Sequence, residues 1–223
     1  MEEKFQSRTK EMLIEKLQSI TPMALFFIAY LILFHILESY RVPSEYHVLH
    51  TPLDDQIPFC KFFIVPYVLW FFYVAFHVIY ICYKEEAIYT PFSRMLFFGM
   101  SLFLLISAIF PNMQDLRPSV VGGQDIFSNL IRHLYETDTP TNIFPSIHVY
   151  NTLVIMIAIH KGSSPLFQNK IYKIMADGLG LAIVLSTMFL KQHCVLDVIG
   201  AVLLTGIAYS LFFPSSDSKK KTF

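Results

Sequence analysis

Apolar residues in this chain fall into long runs set apart by short polar stretches. The runs cover approximately 22–38, 58–82, 92–110, 144–160, 171–190 and 194–213. A helix needs roughly 20 consecutive apolar residues to cross a bilayer, and several runs reach that length. The first and fourth are shorter, nearer 17 residues. In lipid each backbone polar group must be paired internally, so every run is predicted to be a helix. No heptad, solenoid or low-complexity repeat interrupts the pattern. The expected fold is all-α: a polytopic membrane protein with six transmembrane helices over 21–213. A mixed-charge, helix-forming amphipathic segment over 1–20 precedes it, and a basic tail over 214–223 follows. No cleaved leader is expected, because the first run follows a long charged stretch without a small-residue cleavage site.

Composition agrees with lipid as the main solvent. Hydrophobic residues make up 54% of the chain and charged residues 15%, against about 25% charged in soluble domains. Phe is abundant, at 22 residues, as suits a lipid-facing surface. A net charge of zero argues against a nucleic-acid partner. Cys60, Cys82 and Cys194 are far apart and form neither a CxxC pair nor a disulfide framework. No HExxH motif or carboxylate cluster supports a metal, and no cofactor is expected.

The basic residues set an orientation. Twelve of the 17 Lys and Arg lie in the N-terminal segment, 83–94, 161–173 and the tail; five lie in the alternate connections. Positive charge favours the cytoplasmic side, so both termini are expected there. Lys219-Lys220-Lys221 suits an anionic inner leaflet.

Two short stretches at the starts of apolar runs then face the opposite side. In Phe144-Pro145-Ser146-Ile147-His148, Pro fits a first helical turn and Ser can cap it. The free donors and positive dipole end there favour an anion. The bland alternative is a cap beside an interfacial histidine. In His193-Cys194-Val195-Leu196-Asp197, His and Asp stand at i and i+4, on one helix face. A carboxylate on one imidazole nitrogen fixes the tautomer and frees the other nitrogen for chemistry. The alternative is a carboxylate favoured by the helix start. Arg117-Pro118 lies in a long external loop, where a guanidinium fork suits phosphate oxygens or simply solvent. That loop, 111–143, shows no clear structure, as a lid or a disordered segment would. His35 and His77, inside apolar runs, read as buried hydrogen-bonded residues. Asp54-Asp55 offers a cation site or, more simply, a solvated turn.

These residues resemble the type 2 phosphatidic acid phosphatase superfamily, which also contains soluble vanadium haloperoxidases. Its motifs are Lys-x6-Arg-Pro, Pro-Ser-Gly-His and Ser-Arg-x5-His-x3-Asp. Here they read as Arg117-Pro118, Pro145-Ser146-Ile147-His148 and Ser186-x6-His193-x3-Asp197. The stretch Leu53-Asp54-Asp55-Gln56-Ile57-Pro58-Phe59 also looks like the branch of inositol phosphorylceramide and sphingomyelin synthases. Three positions depart from the pattern: Phe110 replaces the first-motif lysine, Ile147 the glycine and Thr187 the third-motif arginine. Lys191 is the candidate to supply one missing cation.

The resemblance implies a helical bundle with its site on the outer side of the membrane, the plasma membrane being expected. It implies that His193 attacks phosphorus, Asp197 steadies its ring and His148 protonates the leaving alkoxide. Arg117, Ser146 and Lys191 would bind the phosphate. The expected activity is hydrolysis of a lipid phosphate ester such as phosphatidate or an isoprenoid diphosphate. Alternatives are transfer of a phospho-headgroup between lipids and a catalytically silent lipid-binding protein. The two imidazoles should face one cavity, with Arg117 or Lys191 reaching in.

Overall fold

The computed structural model describes residues 2–39 and 45–213, with side chains from Ile20 onward. The basic tail expected over 214–223 lies outside the described residues. In chain order the elements are α1 (Glu2–Ser39), β1 (His47–Val48), α2 (Pro52–Gln56), a 3-10 turn at Lys61–Phe63, α3 (Ile64–Lys84), α4 (Glu86–Ile109), β2 (Asn112–Met113), α5 (Ile126–Thr137), α6 (Ile147–Lys161), α7 (Pro165–Gln168), α8 (Lys170–Phe189) and α9 (Val195–Phe212). The architecture is all-α, with a small two-stranded parallel pairing of β1 and β2. The N-terminal segment and the first apolar run form one continuous helix, α1.

Five stretches are long and apolar enough to cross a membrane: Ile20–Ser39, Lys61–Lys84, Glu86–Ile109, Lys170–Phe189 and Val195–Phe212. The expected sixth span is not confirmed among the described residues. The fourth run becomes α6, which has 15 residues. At 1.5 Å per residue it is roughly 22 Å long, short of a hydrocarbon core about 30 Å thick. Its first residues, Phe144-Pro145-Ser146, are not helical. Helices α3, α4, α8 and α9 all pack against α6, so its ends lie among protein groups, and non-helical backbone is tolerated there.

Lipid tails are as apolar as Leu, so close packing and hydrogen bonds, not removal from water, hold such helices together. Glycines provide the close approach. A Cβ on Gly99 of α4 would stand 2.1 Å from the Tyr150 ring of α6, whose hydroxyl donates to the Met95 carbonyl at 2.6 Å. A Cβ on Gly200 of α9 would stand 2.5 Å from the Phe144 ring, just before α6.

The C-terminal ends of α1, α4 and α8 meet the N-terminal ends of α3, α6 and α9. Backbone bonds tie them together: His47 N–H to the Pro111 carbonyl at 2.9 Å, Cys60 N–H to Phe189 at 2.9 Å, and Ser146 N–H to Asp197 at 3.1 Å. At the other end, the buried Glu85 between α3 and α4 accepts from the Ser163 and Ser164 amides, at 2.9 Å each.

The 111–143 loop is ordered, contrary to the expectation of a structureless segment. Asp125 caps α5 by accepting from the Phe127 and Ser128 amides at 3.1 and 3.2 Å. The Lys61 ammonium donates to Asp125 at 2.6 Å and holds its carboxyl below the usual carboxylate range. Ile131 of α5 is fully buried against a small cluster with Ile64, Tyr67 and Leu190. The helix therefore lies across the end of the bundle.

Candidate active site

Both histidine stretches arrive at this end as helix starts. Ser146 caps α6, its hydroxyl oxygen accepting from the Val149 amide at 3.3 Å, and puts His148 in the first turn. Asp197, in the first turn of α9, accepts from the Cys194 amide at 2.8 Å. The same oxygen lies 3.3 Å from His193 Nδ1. A carboxylate there favours the tautomer with the proton on Nδ1 and leaves the Nε2 lone pair free. His193 Nε2 lies 3.4 Å from His148 Nδ1, with ring centroids 5.6 Å apart. The two imidazoles meet as the sequence suggested.

Both rings line a cavity of about 300 Å³. Its lining carries Tyr30, Phe34, Trp70, Phe71 and Phe103 from α1, α3 and α4, and the polar Thr137, Asp138, Thr139, Thr141 and Asn142 from the end of α5 onward. Leu31 and Phe71 are exposed on the outer surface of the bundle, so the cavity wall continues into the surface that lipid would cover. Tyr67 and Trp70 flank His148, at 5.0 and 4.3 Å between centroids.

The expected phosphate-binding residues sit elsewhere. Arg117, Ser146 and Lys191 are absent from the cavity lining. Arg117 donates to the Asp138 carbonyl at 2.8 Å and to Gln192 Oε1, and stacks over Tyr135 at 4.6 Å. Burial lowers its pKa, against the pull of Asp138. Lys191 donates to the Asp54 and Ile57 carbonyls at 2.7 and 2.5 Å. Its backbone has φ 53, a left-handed conformation that costs a non-glycine residue of order 1 kcal/mol. Its ammonium thus fastens a strained turn in front of His193. Ser146 is fully buried as a cap. Each cation is drawn away because unpaired loop carbonyls at a buried helix end need donors. Thr187, at the family's arginine position, is also buried, its hydroxyl donating to Val184 at 2.8 Å.

Sequence reading missed four residues. Asn112 Oδ1 accepts from the Ile143 and Phe144 amides at 2.8 and 2.9 Å, fixing the approach to His148. Gln114 Nε2 donates to the Lys191 carbonyl at 2.7 Å, fixing the approach to His193. With Arg117, these side chains make 112–117 a strap between the two histidine stretches. Gln192 is the third. Its Oε1 is taken by Arg117, so its Nε2 is turned the other way; that nitrogen is buried, has no partner, and belongs to a residue of the cavity wall. Asp138, the fourth, is the cavity's one Asp, Glu, Lys or Arg among the described residues. Its Oδ2 accepts from Tyr67 at 3.4 Å, and burial pushes its carboxyl up while Arg117 pulls it down. The signal for Gln192 and Asp138 was slight: a polar residue beside His193, and an acid six residues before Phe144.

Other expectations also meet the structure. Asp54 is no solvated turn. It is 1% exposed, its Oδ1 accepting from the Val195 amide of α9 at 2.7 Å and its Oδ2 from Thr51 at 2.7 Å. His77 is buried between the Tyr73 carbonyl and the Tyr172 hydroxyl, at 2.7 and 2.6 Å. His35 lies on an exposed helix face and bonds Ser39 at 3.2 Å.

The structure is thus an all-α bundle with apolar spans that carries, at one end, an imidazole pair backed by a carboxylate. The model of the PAP2 superfamily matches residues 95–221, from α4 past the end of α9 and over more than half of the chain, and the chain belongs to that superfamily. Comparison with curated proteins and with solved structures returned no match. Membership suggests a phosphatase- or phosphotransferase-like lipid enzyme in a membrane.

Proposed function

We propose that the protein cleaves a phosphate ester of a membrane lipid through a phosphohistidine at His193. One observation carries the reading: His193 stands between Asp197 at 3.3 Å and His148 at 3.4 Å, on the wall of a cavity with an apolar depth. Substrate phosphate displaces the contact between the rings. His193 Nε2 forms a bond to phosphorus, the phosphorus–alkoxide bond breaks, and His148 delivers its proton to the leaving oxygen. Asp197 stabilises the imidazolium that forms. Water then attacks phosphorus, His148 takes its proton, and the nitrogen–phosphorus bond breaks. The amides opening α6 and the Gln192 amide nitrogen hold the phosphoryl oxygens, where such donors contribute about 3 kcal/mol each to the transition state.

Two features support an outer-face site. Lys84, Arg94, Lys161, Lys170 and Lys173 lie toward the opposite end of the bundle. The cavity lining joins polar Thr137, Thr139 and Thr141 to apolar Phe34 and Phe71, as a headgroup with its chains would need. A second reading, a lipid hydroxyl in place of water as acceptor, is favoured by the apolar part of that lining.

The test is to incubate the protein in nanodiscs with lipid labelled in its phosphate. An acid-labile, base-stable phosphoenzyme is expected, absent in His193→Ala. Label released to water marks a phosphatase, and label in a second lipid marks a transferase. Full turnover by His193→Ala would sink the mechanism. Because His148 must be protonated and burial beside His193 pushes its pKa down to about 3, the rate should fall as pH rises, with its optimum on the acid side of the ordinary imidazole range near 6.5.

A further inference from the structure

A second groove lies between α6 and α9, at the end of the bundle away from the imidazole pair, and holds about 460 Å³. Leu153 and Ile157 of α6 and Val202 of α9 form its apolar length; His160, Lys161 and Tyr209 close one end. From Leu153 to Lys161 the helix runs about 12 Å at 1.5 Å per residue. Thr205, also on the wall, spends its hydroxyl proton on the Ala201 carbonyl of its own helix at 2.7 Å. A Cβ on the neighbouring Gly206 would meet nothing within 4 Å. Val202 is half exposed, on a helix long and apolar enough to span a membrane. The groove therefore opens sideways, toward lipid.

Its basic end is unbalanced. Lys161, the last residue of α6, holds its ammonium 5.3 Å over the Tyr209 ring of α9, across the groove. Among the described residues no Asp or Glu pairs with it. The acids at this end are engaged elsewhere: Asp177 of α8 lies 2.8 Å from His160 Nε2, and Glu85 accepts from the Ser163 and Ser164 amides. An ammonium at the edge of the hydrocarbon attracts an anionic headgroup. Inorganic phosphate would leave the apolar length bare. A second copy docked by a two-fold axis would bring its own Lys161 toward the first.

We propose that the groove between α6 and α9 is a binding site for an anionic phospholipid, with the phosphate on Lys161 beside His160 and one acyl chain along Leu153, Ile157 and Val202. The lipid belongs to the leaflet away from the imidazoles. No bond is made or broken there. The groove shares no residue with the cavity that holds His148 and His193, so the site stands independently of the proposed reaction.

The full chain in maltoside micelles is titrated with phosphatidylglycerol or with phosphatidylcholine of the same chains, and bound lipid is counted by native mass spectrometry. The wild type should hold one phosphatidylglycerol about ten-fold more tightly than phosphatidylcholine, the scale of one charge-assisted contact. Lys161→Gln should abolish that preference, and Lys161→Arg should keep it. Val202→Trp places bulk at an exposed position, and should fill the groove and displace the lipid although the cation remains. Lys84→Gln, at the same end but off the groove, should change nothing. An undiminished preference in Lys161→Gln or Val202→Trp overturns the proposal, as does an equal loss in Lys84→Gln. Displacement of the lipid by inorganic phosphate at equal concentration marks an ion site instead. A dimer that needs no lipid and is lost in Val202→Trp marks contact between copies, and also overturns it. Lipid held in the imidazole cavity is common to every variant and subtracts out.

Discussion

Two buried polar clusters, one at each end of the bundle, serve different ends. Around Glu85 the account closes: each carboxylate oxygen accepts one amide, from Ser163 and Ser164, and the turns they join are locked. Around Gln192 and His193 it stays open. Gln192 Nε2 is buried without a partner, as are Trp70 Nε1 and Asp197 Oδ1. An unmade hydrogen bond costs about 1–3 kcal/mol, and beside the cavity a bound ligand would offset that cost. Burial of a polar residue is therefore no mark of chemistry by itself; a donor left waiting beside a cavity is.

The comparison can be broken in graded steps. His193→Ala should remove turnover by about a thousand-fold or more, because no other group supplies the nucleophile; labelled-lipid assays read it directly. Gln192→Glu, which keeps an oxygen for Arg117 but removes the amide donor, should lower kcat by about a hundred-fold with thermal stability unchanged or raised. A loss of stability matching Glu85→Ala would instead place Gln192 among the structural amides. Asn112→Ala should cost about ten-fold in kcat, since it releases the approach to His148, and about 1–3 kcal/mol in stability as two amides lose their acceptor. Glu85→Ala should leave kcat as it is and lower stability by a similar amount, measured as denaturant midpoint in micelles. A drop in kcat there would show that the two ends are coupled.

The positions of the helices and the imidazole pair were legible because both rest on local patterns. Apolar runs marked the spans, and His193 with Asp197 at i and i+4 announced a shared helix face. The fourth run was less legible, since most of its apolar residues are buried against protein as α6, and length alone does not tell that from lipid contact. The amphipathic α5 was missed for want of a long apolar run, although Asp125 before Ile126, Leu130, Ile131 and Leu134 fits a capped helix. The cations were misplaced for a different reason. A motif names Arg117 and Lys191, but which way their donors turn depends on carbonyls from Asp54, Ile57 and Asp138, far away in sequence. Asn112 and Gln114 carry no sequence signal at all, because a loop amide looks the same whether exposed or gripping two segments.

The shortness of α6 has a consequence for the surrounding bilayer. If its inner end is level with its neighbours, its first turn lies roughly 8 Å below the outer edge of the hydrocarbon. A headgroup reaching His148 must sink past its neighbours, and the leaflet thins locally to meet it. On the proposed function, membrane thickness then becomes a control on turnover: thin, short-chain bilayers would bring headgroups down to the imidazoles, and thick ones would hold them out of reach.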